Sequence, residues 1–112
     1  MMRIDELLAA IAELQRSDLE VWIEEELVAP RREAATLVFS ERQCARVRLL
    51  CTLRYELDIE ADTLPLVVSL VDELYDTRRR LLALTAAVTA QDEPVQAAIL
   101  EAIDRAADER AE

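Results

Sequence analysis

The chain contains no glycine among its 112 residues. Average usage of about 7% would supply several. Without glycine there is no Walker loop, no dinucleotide-binding loop and no Asn-Gly hairpin turn. Two more absences narrow the chemistry. Histidine is missing, which removes the commonest general base and the commonest transition-metal ligand. Lysine is missing too, so all 13 basic residues are arginine and no Schiff base can form. Aromatic residues reach only 4%, too few to stack a nucleic-acid single strand. Against the 13 arginines stand 24 acidic residues, a net charge of -11 that repels a phosphate backbone. These features describe a small binding or regulatory protein rather than an enzyme, with no cofactor and no metal. A chain of this length forms one domain and buries roughly two-thirds of its unfolded surface.

The opening residues Met1-Met2-Arg3-Ile4-Asp5-Glu6 turn acidic at once, where a secretory signal needs a basic start and an apolar run. No apolar stretch reaches the length of a membrane span, so a cytoplasmic protein without membrane contact is expected. Cys44 and Cys51 lie two helical turns apart, about 10 Å of rise, so they share a face but cannot bond within one chain. They read as small buried residues.

Hydrophobic periodicity places the elements. Ile4, Leu7, Leu8, Ile11 and Leu14 form one stripe, predicting a helix over residues 4–14. Ser17-Asp18-Leu19-Glu20 has the pattern of a capping box and opens a short second helix. Leu19, Trp22 and Ile23 face inward there, and Glu20, Glu24 and Glu25 face outward around Val21. Two helices joined by about three residues suggest a helix-turn-helix. Leu27-Val28-Ala29-Pro30 and Thr36-Leu37-Val38-Phe39 read as two extended pieces around the polar turn Arg31-Arg32-Glu33-Ala34-Ala35, a two-stranded wing. Ser40-Glu41-Arg42-Gln43 is a second capping box, opening a helix to about residue 57. Cys44, Val47, Leu50, Leu53, Tyr55 and Leu57 are among the apolar residues that cover more than half its circumference, as in a central helix. Trp22 and Phe39 belong to the core.

The longest helix is predicted from residue 64 to about 90, with Thr63 as cap and Pro65 in its first turn. Val67, Val71, Leu74, Arg78, Leu81, Thr85 and Val88 alternate at four and three, a heptad seam with two polar interruptions. The seam fits either packing within the chain or a homodimer. Asp76 and Arg80 are spaced to pair, and Arg78-Arg79-Arg80 reads as a solvated run. Gln91-Asp92-Glu93-Pro94 ends that helix, and Val95, Ile99, Leu100, Ile103 and Ala106 mark a last one. The domain is taken as residues 1–90, with 91–112 a helical extension.

The order helix, helix, wing, helix, long helix, terminal helix gives a mainly α fold that is similar to a MerR-like winged helix-turn-helix. That layout suggests a DNA-binding transcriptional regulator with its second helix in the major groove. The residues oppose it, because Asp18, Glu20, Glu24 and Glu25 replace the donors that base edges require. Only Arg31 and Arg32 at the wing could touch phosphate. An acidic face at a recognition position fits a basic protein partner better.

From about residue 4 to 84 the chain resembles the chaperone-modulator CbpM family. The resemblance rests on Leu27-Val28-Ala29-Pro30-Arg31, Val38-Phe39, Arg48-Leu49-Leu50, Leu53-Arg54-Tyr55-Glu56-Leu57 and Leu66-Val67-Val68-Ser69-Leu70-Val71-Asp72-Glu73-Leu74. Where family members often carry glycine, this chain has Glu24-Glu25-Glu26 and Leu64-Pro65. The resemblance implies a protein that binds the J-domain of a co-chaperone of the curved DNA-binding protein A type and blocks its stimulation of Hsp70. J-domains generally expose a basic helix as their Hsp70-docking surface. From charge and exposure, the expected contacts are Glu20, Val21, Glu24 and Glu25, with Asp72, Glu73 and Asp76 as a second surface. The expected dimer seam is Val67, Val71, Leu74, Leu81 and Val88.

Overall fold

A strand that no periodicity announces ties down the amino terminus. In this computed structural model, which describes residues 1–111, Met2–Arg3 forms β1 and pairs antiparallel with β3, Thr36–Phe39. Strand β2, Arg31–Glu33, pairs with the other edge of β3, so the sheet has three strands in the order β1-β3-β2. The expected two-stranded wing therefore gains a third strand. Its first strand also lies later than the apolar pattern implied. Leu27 and Val28 are core residues, and the ladder begins after Pro30, which has no N–H to donate. All three residues of β2 are exposed, so no alternation marks them. The β2–β3 reversal places Ala34 at φ 55, a left-handed conformation that glycine ordinarily serves.

Helix α1, Ile4–Ala10, is shorter than its stripe. Ile11 is extended, and the turn after it still buries Ile11 and Leu14. Residues three apart share a side in a turn as they do in a helix, so spacing alone could not tell the two apart. Five residues rather than three then lead to α2, Arg16–Glu24. Its N-cap is Gln15, not Ser17, and the expected capping box is not used.

At Ser40 the second capping box is half realised. The Ser40 hydroxyl accepts from the Gln43 backbone N–H at 3.2 Å and opens α3, Glu41–Cys51. The Gln43 side chain instead reaches out to Ala29. Helix α3 does not run on to residue 57. It widens into a π-helical turn over Thr52–Glu56, closed by the Leu57 N–H donating to the Thr52 carbonyl at 3.0 Å. Asp58 follows at φ 53. The widened turn keeps Leu53 buried but leaves Leu57 exposed, contrary to its expected place in the core.

The chain divides into two units, Met1–Val71 and Asp72–Glu112, a boundary inside α4, Leu64–Thr89. The first unit holds the whole core: Leu7, Leu19, Phe39, Val47, Leu50 and Leu64 are fully enclosed, and Trp22, Cys44, Cys51 and Val68 nearly so. Each such large side chain contributes about 1.5–3 kcal/mol on removal from water. Both cysteines are free thiols, and Cys44 donates to the Phe39 carbonyl at 3.7 Å. In the second unit α4 continues, and α5, Glu93–Ala111, starts with Pro94 in its first turn, where its missing N–H costs nothing. No described helix is long and apolar enough to cross a membrane.

Candidate functional site

Three side chains from α3 and its π-helical turn hold α2 at both ends. At the start, the Tyr55 hydroxyl accepts from the Gln15 N–H at 3.2 Å and donates to Asp18 Oδ2 at 2.6 Å. One phenol thus serves a free backbone donor of the first turn and the carboxylate that favours the positive end of the helix. Its ring lies 6.2 Å from that of Trp22, tilted by 43°. Burial, then the bond to Asp18, push the Tyr55 hydroxyl up to about 12. At the far end, the Arg46 guanidinium Nε donates to the Leu27 carbonyl. Gln43 Oε1 accepts from the Ala29 N–H at 2.9 Å.

The exit of α2 is a Schellman turn built without glycine. The Leu27 N–H donates to the Trp22 carbonyl at 2.9 Å and the Glu26 N–H to the Ile23 carbonyl at 3.1 Å. Glu26 sits at φ 63, the position this motif normally gives to glycine. Buried Leu27 and Trp22 supply the apolar contact that accompanies the motif.

This frame presents an acidic strip. Glu20, Glu24 and Glu25 are exposed, and Val21 lies among them with 44% of its surface free. Glu20 with Glu24, and Val21 with Glu25, are one turn apart and side by side. Leu19 and Trp22 face the core, as the spacing predicted. The one cation of α2, Arg16, pairs with Asp5 at 3.1 Å. At the wing, Arg31 pairs with Glu33 at 3.0 Å and Arg32 is exposed.

In the second unit Asp72 is half-buried and has its own partner, while Glu73 and Asp76 are exposed. Asp76 pairs with Arg79, one residue short of the expected Arg80. Of the seam residues, Val67 packs partly against the core of the first unit and Val71 is half-buried. Leu74 and Leu81 are exposed and Val88 is half-buried. Among the described residues no group of three or more carboxylates and thiols converges as a metal site would.

Residues 2–64 match the sequence model of the MerR HTH family regulatory proteins, more than half of the chain. The chain belongs to this MerR family. Comparison with curated proteins and with solved structures gave no match. The MerR-type match spans both helices of the helix-turn-helix, the sheet, α3 and its π-helical turn, so α2 takes the place of the second helix of the motif. Tyr55 was expected among the apolar residues of a helix and within the Leu53-Arg54-Tyr55-Glu56-Leu57 segment, with no tie to the start of α2. The available signal was its hydroxyl, because a tyrosine on a core-facing stripe needs a polar partner. Arg46 and Gln43 gave no comparable signal.

Proposed function

We propose that this MerR-type chain is a non-enzymatic chaperone modulator. It binds the J-domain of a DnaJ-type co-chaperone, of the curved DNA-binding protein A type, and inhibits its stimulation of Hsp70. The observation that carries the reading is the face of α2: three free carboxylates surround an exposed valine, and the only arginine of the helix is already paired. Laid on the basic helix of a J-domain, this strip occludes the surface that Hsp70 uses. Long-range attraction mainly sets the encounter rate. Exposed ion pairs add only about 0–1 kcal/mol each, so affinity also draws on Val21. Asp72, Glu73 and Asp76 are proposed as a second contact.

The protein is proposed to work in the cytoplasm as a homodimer through Val67, Val71, Leu74, Leu81 and Val88. Support comes from Leu74 and Leu81, exposed at 67% and 60%. Light scattering is expected to give twice the chain mass of 12.7 kDa. The docking test is calorimetry with a purified J-domain. Glu20→Arg with Glu24→Arg is expected to abolish measurable binding and leave the thermal unfolding curve in place. Unchanged affinity would move the site off α2.

A second reading, a DNA-binding transcriptional regulator, is favoured by family membership itself. Titration against labelled duplex at low salt separates the two. Tight, sequence-dependent binding would displace the chaperone reading.

A further inference from the structure

A cavity lies between β1 and α3, away from the acidic strip of α2. Met1, Met2, Phe39, Glu41, Cys44 and Arg48 line its volume of about 390 Å³, and it is open to solvent. Sites for small ligands range from about 300 to 1,000 Å³, so the space suits a small molecule.

The floor is apolar and its polar atoms are already served. Phe39 is fully enclosed, and Cys44 is buried with its thiol donating to the Phe39 carbonyl. Among the described residues no buried side-chain nitrogen or oxygen lacks a partner. Met2 stands opposite Phe39 in the β1–β3 ladder, so both side chains project from the same face of the sheet. Methionine is flexible and fits itself to irregular apolar shapes.

The rim carries two opposite charges. Glu41, Cys44 and Arg48 follow one another at three and four along one face of α3. Glu41 and Arg48 are exposed, and neither has an ion-pair partner among the described residues. Seven residues of helix set their backbone positions about 10 Å apart.

We propose that this cavity binds a short apolar peptide of three residues with free ends, its amino group on Glu41 and its carboxylate on Arg48. Three extended residues span about 10 Å, the separation of the two charges. The apolar side chains then lie on Met2, Phe39 and Cys44. Other classes of ligand match the lining less well. A single amino acid carries both charges on one carbon and cannot reach both ends. A fatty acid would lay its tail against the unpaired Glu41 carboxylate, which loses water and gains no partner. A purely anionic ligand also meets a chain of net charge -11, whereas a zwitterion carries no net charge.

The test is calorimetry of the full chain with the tripeptide Val-Ala-Val. Binding with a Kd below about 1 mM is expected. Acetylating the peptide's amino group, or amidating its carboxylate, is expected to weaken binding at least about 10-fold. Glu41→Gln is expected to weaken the free peptide by the same factor and to leave the acetylated one unchanged. Arg48→Gln is expected to do the same with the amidated one. Fluorescence of Trp22, the one tryptophan, reports whether the variants keep the fold; if they do not, the capped peptides on the unmodified chain decide. No binding of the free peptide at about 5 mM overturns the proposal. So does full affinity in either capped peptide, or equal affinity for free valine. Amide shifts are expected at Met2, Phe39 and Cys44, and shifts confined to α2 overturn the assignment.

Discussion

Replacing Glu26 with glycine is expected to stabilise the first unit, and the gain can be traced to one torsion. Glu26 sits at φ 63 in the Schellman turn that ends α2. A residue with a Cβ loses about 1–2 kcal/mol in that conformation. Glycine loses none of it, but its freer unfolded state takes back about 0.5–1 kcal/mol. The net gain is about 1 kcal/mol. With a urea dependence of about 1–2 kcal/mol/M for a small domain, the midpoint moves up by roughly 0.5–1 M. Trp22 provides the signal, because it is buried and its carbonyl oxygen accepts the Leu27 N–H of the same turn. The control is Glu26→Ala, which removes the carboxylate and keeps the Cβ. If like-charge repulsion among Glu24, Glu25 and Glu26 were the cause, both variants would gain equally. Equal midpoints for the two would refute the backbone argument. A glutamate held where glycine is easier also fits the acidic-face reading, since Glu26→Gly trades an anion beside the strip for stability.

Tyr55→Phe deletes two hydrogen bonds at the start of α2 and is expected to cost about 1–3 kcal/mol, read by urea unfolding. In hydrogen exchange, the amides of the first turn of α2 are expected to lose the most protection. Stability is expected to fall at alkaline pH. Burial raises the Cys51 thiol to about 11 and the Tyr55 hydroxyl to about 12, so the unfolded chain deprotonates first as pH rises, binds fewer protons and is favoured. The loss begins near the ordinary thiol and phenol values and is complete above the folded ones; in Tyr55→Phe with Cys51→Ala it is expected to flatten. For J-domain docking, stopped-flow association is expected to slow as salt rises, with a much smaller change in dissociation; a salt-independent on-rate would count against the acidic strip.

The residues that seal the core were legible because burial imposes periodicity. Leu19, Trp22, Val47 and Leu50 lie where their spacing put them, and Phe39 closes the strand as expected. The helical order and the MerR-like fold class followed from these. Elements without an inward face were not legible. Strand β2 is solvent-exposed on every residue, and β1 is two residues long, so neither carries a pattern. The π-helical turn was hidden for a different reason. Thr52–Glu56 continues the apolar stripe of α3, and a widened turn changes which residues bond without changing their composition. At the site, the carboxylates of α2 could be read from sequence, since a charged helix face has nowhere to go but water. What holds them could not be, because Tyr55 bonds to residues 37 and 40 positions away.

These tethers bear on how an exposed strip of charge can recognise anything. Glutamate side chains at a surface are mobile, and each exposed pair is weak, so specificity has to come from a backbone that keeps several of them in register. Here Tyr55 fixes the start of α2, Arg46 and Gln43 fix the chain beyond its end, and all three belong to one continuous segment, α3 with its π-helical turn. One continuous element therefore sets the angle at which Glu20, Val21, Glu24 and Glu25 are presented to solvent. In the proposed docking, a partner helix would find the carboxylates already aligned and lose less entropy. The same logic separates the two proposed surfaces. The α2 strip stands on a packed core, whereas from residue 72 to 111 no residue is buried.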